Sequence, residues 1–237
     1  MKYLFLDIQL KANTELSITD KQDINYIVNV LRFKKGQKVT VLDGEGLLTH
    51  SEITLAHKKE VLIQTTELIK ADTQNSQINL YFGIPNKLPK LELMLKMATE
   101  LGVSNFYPLH TEYSQVTSLG KQDRLLQIIK SAASQSESSF LPKLHEPQKL
   151  SDLPSDRPYL ACVCRMEAST PLLDLQITNQ ANILIGPEGG FSSQDRQVIF
   201  EQLKAQAVSL GEKVLRLETA SLLALGICAL KISSNNN

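Results

Sequence analysis

The run Ile183-Leu-Ile-Gly-Pro-Glu-Gly-Gly-Phe-Ser192 is apolar, stops at a glycine and proline turn, and restarts as a helix. Glycines at 186, 189 and 190 let backbone amides approach a ligand with no Cβ in the way, while Pro187 stiffens the turn. A second glycine turn lies in Ser209-Leu-Gly-Glu-Lys-Val-Leu-Arg-Leu-Glu-Thr-Ala220, and it too leads into an apolar helix. Two such turns at the ends of neighbouring strands would form a pocket walled largely by backbone, which suits a nucleoside-like cofactor. The spacing Gly-Pro-Glu-Gly-Gly matches neither the dinucleotide fingerprint nor the phosphate-cradling Gly-x-x-x-x-Gly-Lys loop, which disfavours nicotinamide cofactors and nucleoside triphosphates. Taken alone, the first turn also reads as a plain strand-to-helix connection.

The candidate cofactor residues are Leu184, Ile185, Gly186, Pro187, Glu188, Gly189 and Gly190 in the first turn. In the second they are Leu210, Gly211, Leu215, Glu218, Thr219 and Ala220. Leu210, Gly211 and the segment Val214 to Arg216 offer apolar contacts and backbone groups suited to an adenine edge. Glu218 and Thr219 open a helix whose amide end can receive polar ligand groups or simply be capped by them. Arg216, between two leucines, carries a desolvation penalty unless it has a partner, and is the candidate catalytic residue. Its partner is either RNA or a structural carboxylate. Glu188 serves either as a brace for the turn or as a base.

These turns need strands to end at them and helices to begin after them. Strand-like segments at Ile78 to Phe82, Val103 to Leu109, Tyr159 to Cys164, Ile183 to Ile185 and Ala207 to Leu210 alternate with helical ones. Leu91, Met94, Leu95, Ala98 and Leu101 fall on one helical face that ends at Gly102. Further helices are expected over Leu125 to Ala133, Ser192 to Leu203 with a capping box at Ser192 and Asp195, and Glu218 to Leu230. This alternation predicts an α/β domain with a parallel sheet covered on both faces. Ligands of such sheets collect beyond the carboxyl ends of strands, where both glycine turns lie.

Before it, residues 1–70 read as short strands and turns, with Asp43-Gly44 as a tight turn after Val39 to Leu42 and a short helix over Asn25 to Arg32. A small β-barrel-like module fits this pattern. The polar stretch Lys70 to Gln77 reads as a linker, which divides the chain into domains of residues 1–70 and 71–237. In the first domain Arg32, Lys34, Lys35 and Lys38 form a basic cluster, read either as RNA phosphate contacts or as a solvated loop.

The chain has 237 residues, 42% of them apolar, and lysine plus arginine equals aspartate plus glutamate at 25 each. Net charge therefore does not draw it to nucleic acid, and RNA binding must come from local patches. Three cysteines, Cys162, Cys164 and Cys228, are too few for a disulfide framework and point to a reduced setting. None of the histidines at 50, 57, 110 and 145 is spaced as a metal pair, so no metal is expected and the four are assigned to surface or loop. The apolar run Ala220 to Leu230 is short for a membrane span, and a soluble cytoplasmic protein is expected.

Glu100-Leu-Gly-Val-Ser104, Ala132-Ala-Ser-Gln-Ser136, the Gly-Pro-Glu-Gly-Gly turn and Leu215-Arg-Leu-Glu-Thr-Ala220 occur in an order and at intervals that resemble the bacterial ribosomal small subunit RNA methyltransferase E family. Val30-Leu-Arg-Phe-Lys-Lys-Gly36 and Leu42-Asp-Gly-Glu-Gly46 are similar to that family's N-terminal RNA-binding barrel, of the PUA-like kind. The resemblance implies a C-terminal SPOUT-type domain threaded as a deep trefoil knot around S-adenosyl-L-methionine, a homodimer, and methylation of N3 of a uridine in 16S rRNA of the small subunit. Asn25-Tyr26, Tyr113 and Glu137-Ser138 depart from the family, which often has two histidines, an arginine and Gly-Arg at those places. A related methyltransferase acting on another RNA atom and a ribosome-binding protein without catalysis are the alternatives.

Overall fold

The structure is a computed structural model that describes residues 2–71, 77–163 and 169–235. It divides into two compact units, residues 1–74 with 133–141, and residues 75–132 with 142–237. Residues 72–76 of the expected linker, Cys164, and the last two asparagines lie outside the described residues.

The first unit is built on a five-stranded sheet of β1 (Lys2–Phe5), β2 (Glu15–Ile18), β3 (Lys38–Leu42), β4 (Leu47–His57) and β5 (Glu60–Lys70), in the order β1-β3-β4-β5-β2. β1 runs parallel to β3, and the remaining pairs are antiparallel. Ile18, Val39, Val41, Ile53, Val61 and Ile63 point inward and are fully buried. The expected short helix is present as α1 (Lys21–Asn25) continued by a π-helical turn over Tyr26–Val30. Asp20 starts it, its Oδ1 accepting from the amides of Gln22 and Asp23, each at 2.9 Å. At the Asp43-Gly44 turn, the Asp43 carboxylate accepts from the amides of Glu45 and Leu47. Residues 133–141 join this unit, Leu141 N donating to Gly44 O at 2.9 Å. Local periodicity carries no sign of such a return.

In the second unit the strands are β6 (Gln77–Gly83), β7 (Asn105–His110), β8 (Lys143–Leu144), β9 (Gln148–Lys149), β10 (Tyr159–Cys162), β11 (Thr170–Pro171), β12 (Gln180–Ile185) and β13 (Gln206–Ser209). They form one sheet in the order β11-β13-β10-β12-β6-β7-β8, with β9 also on β7, and every pairing is parallel. The sheet's middle strands are buried along most of their length, as parallel strands covered on both faces must be.

Helix α2 (Leu88–Glu100) buries Leu91, Met94, Leu95 and Ala98, and Gly102, at φ +81°, reverses the chain after it. Helix α3 covers Gln122–Gln135. Helix α4 (Ser193–Gln197) opens with the expected capping box, Asp195 N donating to Ser192 Oγ at 2.9 Å and Ser192 N to Asp195 Oδ2 at 3.0 Å. A π-helical turn over Val198–Gln202 continues it.

Helix α5 (Leu217–Asn235) is longer than its apolar run: by length and composition it is the one helix among the described residues that could cross a membrane. Leu217, Ser221, Ala224, Leu225, Cys228 and Ile232 are nonetheless buried along one face, and the helix packs on α2, β6 and β12. That face belongs to the sheet's core. Burial pushes the Cys228 thiol up to about 12, so it behaves as a small apolar side chain.

Candidate active site

Two strands end at one cavity of about 720 Å³, a size usual for small-molecule sites, and the segment that follows a third strand lines it too. β12 delivers Ile185 and the turn from Gly186 to Gly190, β10 delivers Cys162 and Val163, and the segment after β13 delivers Val214, Leu215 and Arg216. The two glycine turns were expected on neighbouring strands. They are not adjacent, because β10 lies between β12 and β13, and its end lines the cavity. Strand order is a long-range property that local patterning does not encode.

The first turn is closed by Gly190 N donating to Pro187 O at 2.8 Å, with Gly190 at φ +73°, a conformation that disfavours any residue with a Cβ. Of the expected cofactor residues, Ile185, Gly186, Pro187, Glu188, Gly189, Gly190, Leu215 and Ala220 line the cavity, as does Arg216. Leu184 does not: it is fully buried in the core cluster with Tyr81 and Tyr159. Leu210, Gly211, Glu218 and Thr219 are also outside the lining, although Glu218, in the first turn of α5, has a buried Oε2 with no hydrogen-bond partner among the described residues.

Arg216 is exposed, so the desolvation penalty expected between its leucine neighbours does not arise, and no carboxylate pairs with it among the described residues. Glu188 is tied to Lys90, with Nζ to Oε1 at 2.9 Å. Burial pushes its carboxyl up, but the bond to Lys90, backbone amides and the Lys90 charge outweigh that and hold it below the ordinary carboxylate range. A carboxylate so stabilised is a poor base and a good brace.

Lys87, Lys90 and Arg196 also face the cavity. The first two stand at the start of α2. Arg196 gave no signal except its place in the helical turn after Ser192, where its Nε donates to Phe191 O at 3.3 Å. With Lys90 neutralised by Glu188, the walls keep Lys87, Arg196 and Arg216 as cations with no balancing acid among the described residues, an arrangement that favours anionic ligands.

His145 lies in the loop between β8 and β9, one of the two places expected of it, and is half-buried there. It stacks on Tyr107 with ring centroids 4.1 Å apart and is hydrogen-bonded to Asn105. In the first unit Arg32, Lys34, Lys35 and Lys38 are all exposed on the approach to β3.

The sequence profile of the RNA methyltransferase domain matches residues 72–229, and that of the RNA methyltransferase PUA domain matches residues 18–66. A Ribosomal RNA small subunit methyltransferase E of Synechocystis is 31% identical over 216 residues, covering 85% of this chain and 69% of the relative. The chain belongs to this methyltransferase family. The family's member in Rickettsia conorii is 25% identical over 232 residues, covering 95% of this chain and 94% of its own. Among solved structures, the family member from Neisseria gonorrhoeae, crystallised bound to S-adenosyl methionine, superposes with a TM-score of 0.83 at 26% identity and covers 95% of each chain.

Proposed function

We propose that this chain transfers the methyl group of S-adenosyl-L-methionine to N3 of a uridine in 16S rRNA of the small ribosomal subunit. The observation that carries the reading is the single cavity in which the Gly-Pro-Glu-Gly-Gly turn meets Arg216, in a chain that belongs to the methyltransferase E family. The residues present suit this cofactor. Gly186, Gly189 and Gly190 offer bare backbone, Val163, Ile185, Val214 and Leu215 offer apolar walls for an adenine, and the cationic side suits a carboxylate. When bound, the cofactor supplies an electrophilic methyl on a sulfonium.

What the chain's own residues must do is position the acceptor and stabilise charge. Displacement at a sulfonium needs alignment more than covalent help. Loss of the imide proton to water puts negative charge on N3 and the flanking carbonyl oxygens, and that charge is neutralised as the N3–C bond forms and the methyl–sulfur bond of the sulfonium breaks to leave a neutral thioether. Arg216, exposed and unpaired by any acid among the described residues, is suited to meet that charge or to hold the adjoining phosphate. Glu188 braces the turn through Lys90. The other residues named for the cofactor, Leu184, Leu210, Gly211, Glu218 and Thr219, act through the backbone and by supporting the turns.

The same reading assigns Arg32, Lys34, Lys35 and Lys38 to RNA phosphates, and makes residues 1–70 an RNA-binding domain and 71–237 the knotted catalytic one. Support for the knot is that the last helix lies against the central strands β6 and β12 after the chain has visited the sheet's edge. A homodimer would bury Leu223, Leu230 and Leu173, which are 41%, 71% and 66% exposed. The protein would work in the cytoplasm, with its RNA.

The test is tritiated methyl transfer to small subunits from a strain lacking the modification, followed by nucleoside analysis, with calorimetry for the cofactor. N3-methyluridine and cofactor binding are expected. A product methylated at another atom, or no affinity for the cofactor, overturns the assignment.

A further inference from the structure

A second cavity, about 640 Å³, adjoins the first and shares Glu188 and Gly189 with it. Tyr113 stands on its wall, 51% exposed. One side of the side chain covers the glycine turn so closely that a Cβ on Gly189 would come within 3.2 Å of Tyr113 Cδ2. A large aromatic left half in solvent has no core to fill there.

Its mounting is rigid. Thr111 N donates to Ser114 Oγ at 3.0 Å and Ser114 N to Thr111 O at 3.0 Å, which closes the turn that carries Tyr113. Glu112 N donates to Asp195 Oδ1 at 3.2 Å, and Asp195 is the buried capping residue of α4. The turn that presents the ring is thus fastened to the helix that follows the glycine turn. The ring is held against Gly189, at the edge that its own cavity shares with the larger one.

We infer that Tyr113 is the platform on which the target uracil stacks when it is taken out of its RNA helix and brought to the cofactor. The inference rests on the reading of the chain as an RNA base methyltransferase. Unpaired bases are held by proteins chiefly through stacking on aromatic faces, because every base offers a π-face. Asn86 and Gln115 on the same cavity wall supply amides that can pair with the carbonyl edges of a uracil while N3 stays open to the methyl. A side chain that stacks the base orients it without taking part in bond making.

The experiment compares Tyr113→Phe, Tyr113→Trp, Tyr113→Leu and Tyr113→Ala in methyl transfer to unmethylated small subunits, with cofactor affinity measured by calorimetry on each. Loss of one base stack corresponds to about tenfold or more in kcat/KM. That loss is expected for Leu and Ala at unchanged cofactor affinity, with rescue by Phe and Trp. Equal activity of the Ala variant, or no rescue by the aromatic ones, overturns the inference. The chain has no tryptophan of its own. Emission of the Tyr113→Trp protein should therefore be quenched by oligouridylate and not by a backbone of abasic ribose phosphates of equal length; equal response to both also overturns it. A wild-type product methylated elsewhere than N3 sinks the proposed function while leaving the stacking result to stand by itself.

Discussion

Pro187 lies directly on Gly83, with no space between them for a Cβ. A methyl group built on Gly83 would run into the ring Cδ and the backbone nitrogen of Pro187. Gly83 ends β6 and Pro187 follows β12, which pair in register up to Phe82 and Ile185. The close approach of the two fixes where the glycine turn leaves the sheet.

Gly83→Ala should therefore displace the turn and weaken cofactor binding while the fold survives. Overpacking of this kind costs about 1–3 kcal/mol, or roughly 5- to 150-fold in affinity if the turn bears it all. Gly226→Ala is the control: a Cβ there meets nothing within 4 Å, and the substitution should leave cofactor affinity at the wild-type value. Calorimetry with S-adenosylmethionine decides the matter, and equal affinities for both variants would show that the contact does not set the turn.

Arg216 lines the cavity yet is exposed, so its removal leaves no buried hole and no orphaned partner among the described residues. Arg216→Ala should keep the thermal midpoint and the cofactor affinity and lower methyl transfer by about a hundredfold, the scale of a lost charge-stabilising donor. Arg216→Lys should recover part of that. Unchanged turnover in the alanine variant removes Arg216 from the mechanism.

The Lys90–Glu188 pair has side chains 30% and 27% exposed, so its worth to stability is at most about 1 kcal/mol. Because the folded carboxyl is held low, whatever the pair contributes is present above the unfolded carboxylate value of 4.5 and is lost only as pH falls through the folded one. The rate profile between pH 5 and 8 should accordingly have no limb belonging to Glu188. A limb in that range that vanishes in Glu188→Gln would restore the residue as a base.

Much of this site could be read from local features, and the remainder could not, for identifiable reasons. The capping box at Ser192 and Asp195, the buried face of α2 and its stop at Gly102 follow from contacts within a few residues, which a sequence displays directly. The placing of β10 between β12 and β13, which brings Cys162 and Val163 into the cavity, depends on how distant strands pair. So does the return of residues 133–141 to the first unit. Arg216 shows the limit of arguing from neighbours alone: Leu217 is buried and Leu215 half-buried, yet the arginine between them reaches water. His145 is the loop residue its sequence surroundings suggest, but nothing near it in sequence announces its partners Asn105 and Tyr107.

A one-way chain of hydrogen bonds crosses the sheet and gives His145 a consequence for stability. Asn182 Nδ2 donates to Pro158 O at 3.0 Å, Asn79 Nδ2 to Asn182 Oδ1 at 2.8 Å, and Asn105 Nδ2 to Asn79 Oδ1 at 2.8 Å. Asn105 Oδ1 is then left as the acceptor for His145 Nε2 at 3.0 Å, so Nε2 carries the proton. Asn79 and Asn182 are buried, and Asn79→Ala, which orphans partners on both sides, should cost about 1–3 kcal/mol in denaturant unfolding. Burial, and after it the charge of Lys143, push the imidazole below its ordinary value of 6.5. The unfolded chain then binds a proton that the folded one resists, so the contribution of His145 is complete above pH 6.5 and declines as pH falls from there through the folded value. Unfolding free energies measured from pH 8 to pH 5 should show that decline in the wild type and a flatter course in His145→Gln. Parallel curves for the two proteins would assign the slope to other groups.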